Sequence, residues 1–272
     1  MPATRIQADS LPRLVVPTPR ATVELAMADG AVVRLRRHGN PKGPRLALSH
    51  GNGLAIDAYL PFWSLLSARY DLVLFDMRNH GANPPHGAAG HDWAHFSRDI
   101  GTIREGIDTA FGVKPAVGVF HSLAAIAAAA SLVEGGPAWD ALVLFDPPFM
   151  GRAGHPGAAL HQAYMDDMAA RARRRPERYR DPRVMAFQLM GAREFRDWVP
   201  GAHALFAEAT LRPDEAEGDW VLACPRTLEA RIFETNVDGA LWPRLKGHGA
   251  RLKFVGADPA LTRAKPTPAI VR

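Results

Sequence analysis

Four short apolar runs constrain this chain most. They are Arg45-Leu-Ala-Leu-Ser49, Asp71-Leu-Val-Leu-Phe75, Pro115-Ala-Val-Gly-Val-Phe120 and Ala141-Leu-Val-Leu-Phe145, and helical patterns lie between them. A strand that is apolar without alternation is covered on both faces, which is the condition of a parallel sheet flanked by helices. Between the second and third runs, Trp93, Phe96, Ile100, Ile103, Ile107 and Phe111 recur at steps of three and four, predicting an amphipathic helix. Leu123 to Glu134 reads as an alanine-rich helix and Ile56 to Tyr70 as another. Ala31 to Arg36, after the turn residues Asp29-Gly30, reads as the edge strand of a hairpin. The expected class is α/β, with a mostly parallel sheet and helices on both faces.

The rhythm breaks after Pro147-Pro148. From about Met150 to Cys224 the pattern is helical with no convincing buried strand. A helix over Thr227 to Leu241 and a strand at Arg251-Leu-Lys-Phe-Val255 follow. The expected organisation is a core of residues 1–149, a helical lid of residues 150–225 and a second part of the core in residues 226–272. Open α/β sheets bind ligands outside the carboxyl ends of their strands, where such a lid would lie.

Composition narrows the setting. Hydrophobic residues are 47% and charged residues 22%, ordinary globular usage that excludes a disordered or fibrous chain. No apolar run reaches the ~18 residues of a membrane span, and Met1 to Arg20, rich in proline, has no signal-peptide core. The single cysteine, Cys224, excludes an internal disulfide. A cytoplasmic protein without metal or other cofactor is expected. The chain is basic, net +5, with its densest run at Arg171-Ala-Arg-Arg-Arg-Pro-Glu-Arg-Tyr-Arg180. No aromatic platform or nucleic-acid motif accompanies that run, so a solvated helix face is expected, with neither nucleic-acid binding nor stable membrane anchoring.

The chemistry centres on Phe120-His-Ser-Leu-Ala124, between a strand and a helix. A serine on that turn meets the positive end of the helix dipole, which favours negative charge developing on a substrate. Ser122 is thus either a nucleophile or the helix cap. Phe120 stands where a G-x-S-x-G pattern has glycine. His50-Gly-Asn-Gly53 follows an earlier strand, and its glycines would let backbone amides approach a substrate. In Asp76-Met-Arg-Asn-His-Gly81, His80 reads as structural rather than as a base.

These motifs together resemble the α/β-hydrolase superfamily. The order His50-Gly-Asn, Asp76-x-Arg-Asn-His-Gly81, Phe120-His-Ser-Leu-Ala124, Leu144-Phe-Asp-Pro147 and Val255-Gly-Ala-Asp258 carries the resemblance from about residue 20 to 260. It implies Ser122 as nucleophile and an oxyanion hole from the amides of Leu123 and Asn52. It also implies an acid at Asp258, with Asp146 as the substitute position. The His-Gly-Asn loop is similar to that of haloalkane dehalogenases, but those need a carboxylate where this chain has Ser122.

The resemblance also implies a histidine after the acid. Fourteen residues follow Asp258 and none is histidine; the last, His248, precedes it. Three readings stay open: a copy shortened at its C-terminus, a non-catalytic relative that binds a ligand, or a base supplied by His155, His161 or His203. His121 should point away from Ser122. Lid residues Tyr164, Met165, Met168, Phe187, Met190, Phe195 and Trp198 suggest an apolar pocket or lid packing. The expected activity is hydrolysis of an ester or similar acyl bond of a small apolar acyl substrate. The oligomeric state is not legible.

Overall fold

The computed structural model describes residues 13–151, 154–235 and 239–256, with the backbone alone at 249–250. Strands β1 (Ala21–Ala26) and β2 (Val32–Gly39) form an antiparallel hairpin around Gly30, which turns at φ +86°. The other side of β2 pairs with a later strand, so β1, not the Ala31–Arg36 run, is the sheet edge. After β3 (Arg45–Ser49), the expected helix over Ile56–Tyr70 is broken into pieces. A 3₁₀ turn at Ile56–Tyr59, the single-turn α1 (Leu60–Trp63) and a second 3₁₀ turn at Ser64–Leu66 take its place. Pro61 has no N–H to extend the ladder backward, so an unbroken helix cannot run through it; the Ile56 N–H, ahead of the break, donates to Asp76 Oδ1 at 2.7 Å.

Next come β4 (Asp71–Phe75), α2 (Trp93–Phe111), β5 (Ala116–His121), α3 (Leu123–Val133) and β6 (Ala141–Phe145), all close to their expected spans. Phe96, Ile100, Ile103 and Ile107 of α2 are fully buried. Each contributes roughly 1.5–3 kcal/mol by leaving water.

The insertion contains α4 (Ala158–Arg174), β7 (Arg178–Tyr179), α5 (Pro182–Gly191), α6 (Ala202–Thr210), β8 (Leu211–Asp214) and β9 (Asp219–Leu222). It is therefore not purely helical, because β7-β9-β8 form a small antiparallel sheet. Its strands, of two to four residues, escape an apolar-run reading because they carry Arg178, Arg212, Asp214 and Asp219. Arg178 bridges Asp214 and Asp219 at 2.7 and 2.6 Å, tying the sheet together. Met165 is buried, but Phe187 and Met190 are 39% and 38% exposed on the outer surface. The Arg171–Arg180 run is mostly exposed, and four of its arginines are ion-paired, Arg171 to Asp167, Arg173 to Glu234, Arg175 to Glu229 and Arg178 as above.

The chain closes with α7 (Arg226–Glu234), α8 (Leu241–Arg244) and β10 (Leu252–Val255). The helix expected over Thr227–Leu241 is thus shorter, with Thr235 at its end. The main sheet has the order β1-β2-β4-β3-β5-β6-β10, parallel from β4 to β10. One face packs on α2 and α3; the other packs Leu48, Leu72, Leu74 and Val119 against Ile56, Leu60, Trp63 and Leu205.

The end of the sheet remote from the serine is locked by charge. Asp71, fully buried, accepts from Arg37 (2.7 and 3.0 Å) and Arg45 (3.1 Å), and Arg45 also donates to the Phe111 and Gly112 carbonyls at the C-terminal end of α2. Burial alone would raise the Asp71 carboxyl, but the two arginines hold it below its usual range. Asp71→Ala should cost about 3–5 kcal/mol, because Arg45 would keep its buried charge without that partner. Urea unfolding measures this; a loss under about 1 kcal/mol would show that the knot is incidental.

Candidate active site

The site lies at the carboxyl ends of β3 to β6, where backbone strain concentrates. Among the described residues, three non-glycine residues have positive φ: Asn79 at 60°, Ser122 at 50° and Asp146 at 45°. Ser122 and Asp146 directly follow the neighbouring strands β5 and β6, and Asn79 lies four residues past β4. Such strain costs on the order of 1–3 kcal/mol per residue and gathers at functional sites.

Ser122 follows β5 directly and opens α3, and its side chain makes no cap bond, so the cap reading is not what the geometry shows. Its N–H donates to Phe145 O at 2.9 Å, continuing the β5–β6 ladder by one residue. His121 pairs with Phe145, so Asp146 lies level with Ser122 on the adjacent strand. Phe120 is accommodated because the glycine has moved two residues back. A Cβ on Gly118 would lie 2.4 Å from the Phe120 ring, which packs against Phe75 and Trp139. Ala124, Ala125, Ala127 and Ala128 are fully buried, letting α3 close on the sheet without glycine at the following position.

The His50-Gly-Asn-Gly53 loop lies against this turn: Ala124 N–H donates to His50 O at 3.3 Å. Both glycines are needed. A Cβ on Gly51 would lie 2.8 Å from His121 Nδ1, and one on Gly53, at φ +70°, would lie 2.5 Å from the Glu229 carboxylate. Asn52 is buried and its side-chain amide donates to Glu229 O at 2.8 Å, linking the loop to α7. Sequence reading missed Glu229 and Tyr59, which lie far from the motifs in sequence. Tyr59 Oη accepts from Gly51 N–H at 3.4 Å and bonds His121 Nδ1 at 2.7 Å. Burial pushes the Tyr59 hydroxyl up, so it stays protonated.

The loop is fastened from below by histidines. Gly53 N–H donates to His80 Nε2 at 3.0 Å, and the other His80 nitrogen bonds Arg78 O at 2.8 Å. Met77 N–H donates to His50 Nε2 at 3.1 Å. His80 is thus a strut, as its sequence context suggests. Asp76 accepts from Ile56 and Ala82 amides. Burial alone would raise its carboxyl, but His50, Arg36 and the Ile56 amide hold it at about 2.

All eleven histidines of the chain fall within the described residues, and none is hydrogen-bonded to Ser122 Oγ. His121 is committed to Tyr59, as its predicted direction requires. His203 bonds Phe195 O at 2.8 Å, and His155 accepts from Gly157 N–H at 3.0 Å. His161 is fully buried, with neither ring nitrogen bonded among the described residues. His248 precedes β10, at the opposite end of the sheet. Asp258 lies outside the described residues. No group of three His, Cys, Asp or Glu side chains among the described residues could hold a metal ion, and none of the described helices is long and apolar enough to cross a membrane.

With this geometry in hand, the comparisons are decisive for family. Residues 46–270 match the model of the alpha/beta hydrolase family. The chain belongs to that family. Among solved structures it is similar to E-2-(acetamidomethylene)succinate hydrolase, with 17% identity, TM-score 0.67, and 87% of this chain and 80% of that one covered. The thioesterase domain from the curacin biosynthetic pathway is also 17% identical, with TM-score 0.66 and coverage of 92% and 87%. An esterase from Rhodococcus sp. ECU1013 is 22% identical, with TM-score 0.52 and coverage of 79% and 74%. At these identities the likeness is one of fold. No curated protein matches the sequence.

Proposed function

We propose that this alpha/beta hydrolase cleaves a carboxylic ester or related acyl bond through an acyl-enzyme on Ser122. The observation that carries the reading is Ser122 itself, held at φ 50° between β5 and α3 with its side chain free of any capping role. Its Oγ attacks the acyl carbon, the bond to the leaving alcohol or thiol breaks, and water later releases the acid. Backbone amides of Leu123 and Asn52 receive the oxyanion, and the α3 dipole adds to their effect. Asp146, level with Ser122, or Asp258 supplies the acid, and the insertion serves as the lid over a small apolar acyl group. The hydrolase, thioesterase and esterase among the structural neighbours support acyl chemistry.

A second reading, a silent ligand-binding relative, is favoured by one observation: no histidine is bonded to Ser122. Without a base the serine proton passes to solvent, and acylation is confined to activated esters. Pre-steady-state mixing with p-nitrophenyl acetate separates the two. A stoichiometric burst of nitrophenolate followed by slow release supports the acyl-enzyme; saturable binding of the ester without any burst supports the binder.

A further inference from the structure

We propose that the outer face of α5 seats reversibly on a lipid surface bearing anionic headgroups. Met185 and Ala186 face the interior, while Arg183, Val184, Phe187, Gln188, Met190 and Gly191 face outward. Val184, Phe187 and Met190 are 43%, 39% and 38% exposed, and Val199 just beyond is 50% exposed. These are four of the nine large apolar side chains exposed among the described residues, gathered within sixteen positions of the chain. Scattered exposed apolar residues are ordinary, whereas a contiguous set marks a surface that meets something apolar.

Charge indicates what that is. Residues 182–191 contain no acidic side chain, and residues 171–201 carry nine arginines against four acidic residues, an excess equal to the net +5 of the whole chain. Several of these arginines are paired within the fold, but Arg174, Arg180 and Arg193 are exposed and have no ion pair among the described residues. An apolar stripe flanked by free arginines matches the boundary of a bilayer, with side chains entering the acyl region and guanidinium groups among the phosphates. The α5 helix, at about 15 Å, is long enough to lie in that plane and too short to span it. The contact is peripheral and separable from the chemistry at Ser122.

Flotation with vesicles tests this. Vesicles of phosphatidylcholine containing phosphatidylglycerol should bind the protein at least about tenfold better than phosphatidylcholine alone, and added salt should weaken the binding. Phe187→Ser with Met190→Ser should lose about tenfold in vesicle binding. Its circular dichroism and its reaction with soluble p-nitrophenyl acetate should be unchanged, so failure here is distinct from failure at Ser122. Equal flotation of variant and parent would overturn the proposal, as would absence of binding to either vesicle. Light scattering that reveals a dimer dissociated by the same substitutions would assign the patch to a second copy and overturn it too.

Discussion

Replacing Ser122 by alanine is expected to remove the nitrophenolate burst completely, from stoichiometric with protein to none. The steady rate should change less. Where a nucleophile and its base act as a unit, losing either costs nearly as much as losing both, on the order of a millionfold when the unit is intact. Here no histidine reaches Ser122, so the intact level is not the starting point, and burst amplitude is the sensitive readout. His121→Ala should retain the burst, because that ring is turned to Tyr59. A burst that survives in Ser122→Ala would move the nucleophile elsewhere.

The second large effect is acid unfolding that sets in above the ordinary range of carboxylate protonation. Burial holds His38 and His91 at about 4 and His80 well below its ordinary 6.5; the Arg78 and Arg231 charges add to the effect on His91, and His50 and His91 add to it on His80. His80 and His91 are stacked at 5.7 Å, and His38 packs on Trp63 at 5.2 Å. These histidines are neutral in the folded chain and take protons on unfolding. Their stabilising share is complete above about pH 6.5 and is lost as pH falls toward 4. A depression of that size corresponds to roughly 3 kcal/mol for each of His38 and His91, a large part of a typical total of about 5–15 kcal/mol. Asp76, held at about 2, keeps its contribution through the same range and cannot drive the transition. Circular dichroism against pH should show cooperative loss between about pH 6 and 4. His38→Phe, which removes a buried Nε2 without a partner, should move the midpoint lower. A midpoint near pH 3 in both proteins would refute the histidine account.

The parallel core was legible because its strands are buried on both faces and so appear as unbroken apolar runs. The helix Trp93–Phe111 was legible to the residue, since its stripe is regular and Asp92 caps it through the His95 N–H at 2.9 Å. The β7-β9-β8 sheet was hidden because its short strands lie at the surface and carry the charges that bind them. The helix over Ile56–Tyr70 failed because Pro61, six positions in, has no N–H for the bond an unbroken helix would make there, so the helix restarts around it. At the site, the serine turn and the His50 loop could be read from spacing. The Gly118–Phe120 compensation was visible in principle, since both lie on one strand face two residues apart. The Asn52–Glu229 link and the Tyr59–His121 bond join segments that no local pattern relates.

Identification of the acylated residue tests the central claim most directly. The protein is quenched in acid immediately after mixing with p-nitrophenyl acetate, digested, and the modified peptide sequenced by mass spectrometry. The account predicts a single acetyl group on Ser122, absent from Ser122→Ala. Acetyl groups confined to lysines, or an unmodified Ser122 at full nitrophenolate release, would contradict it.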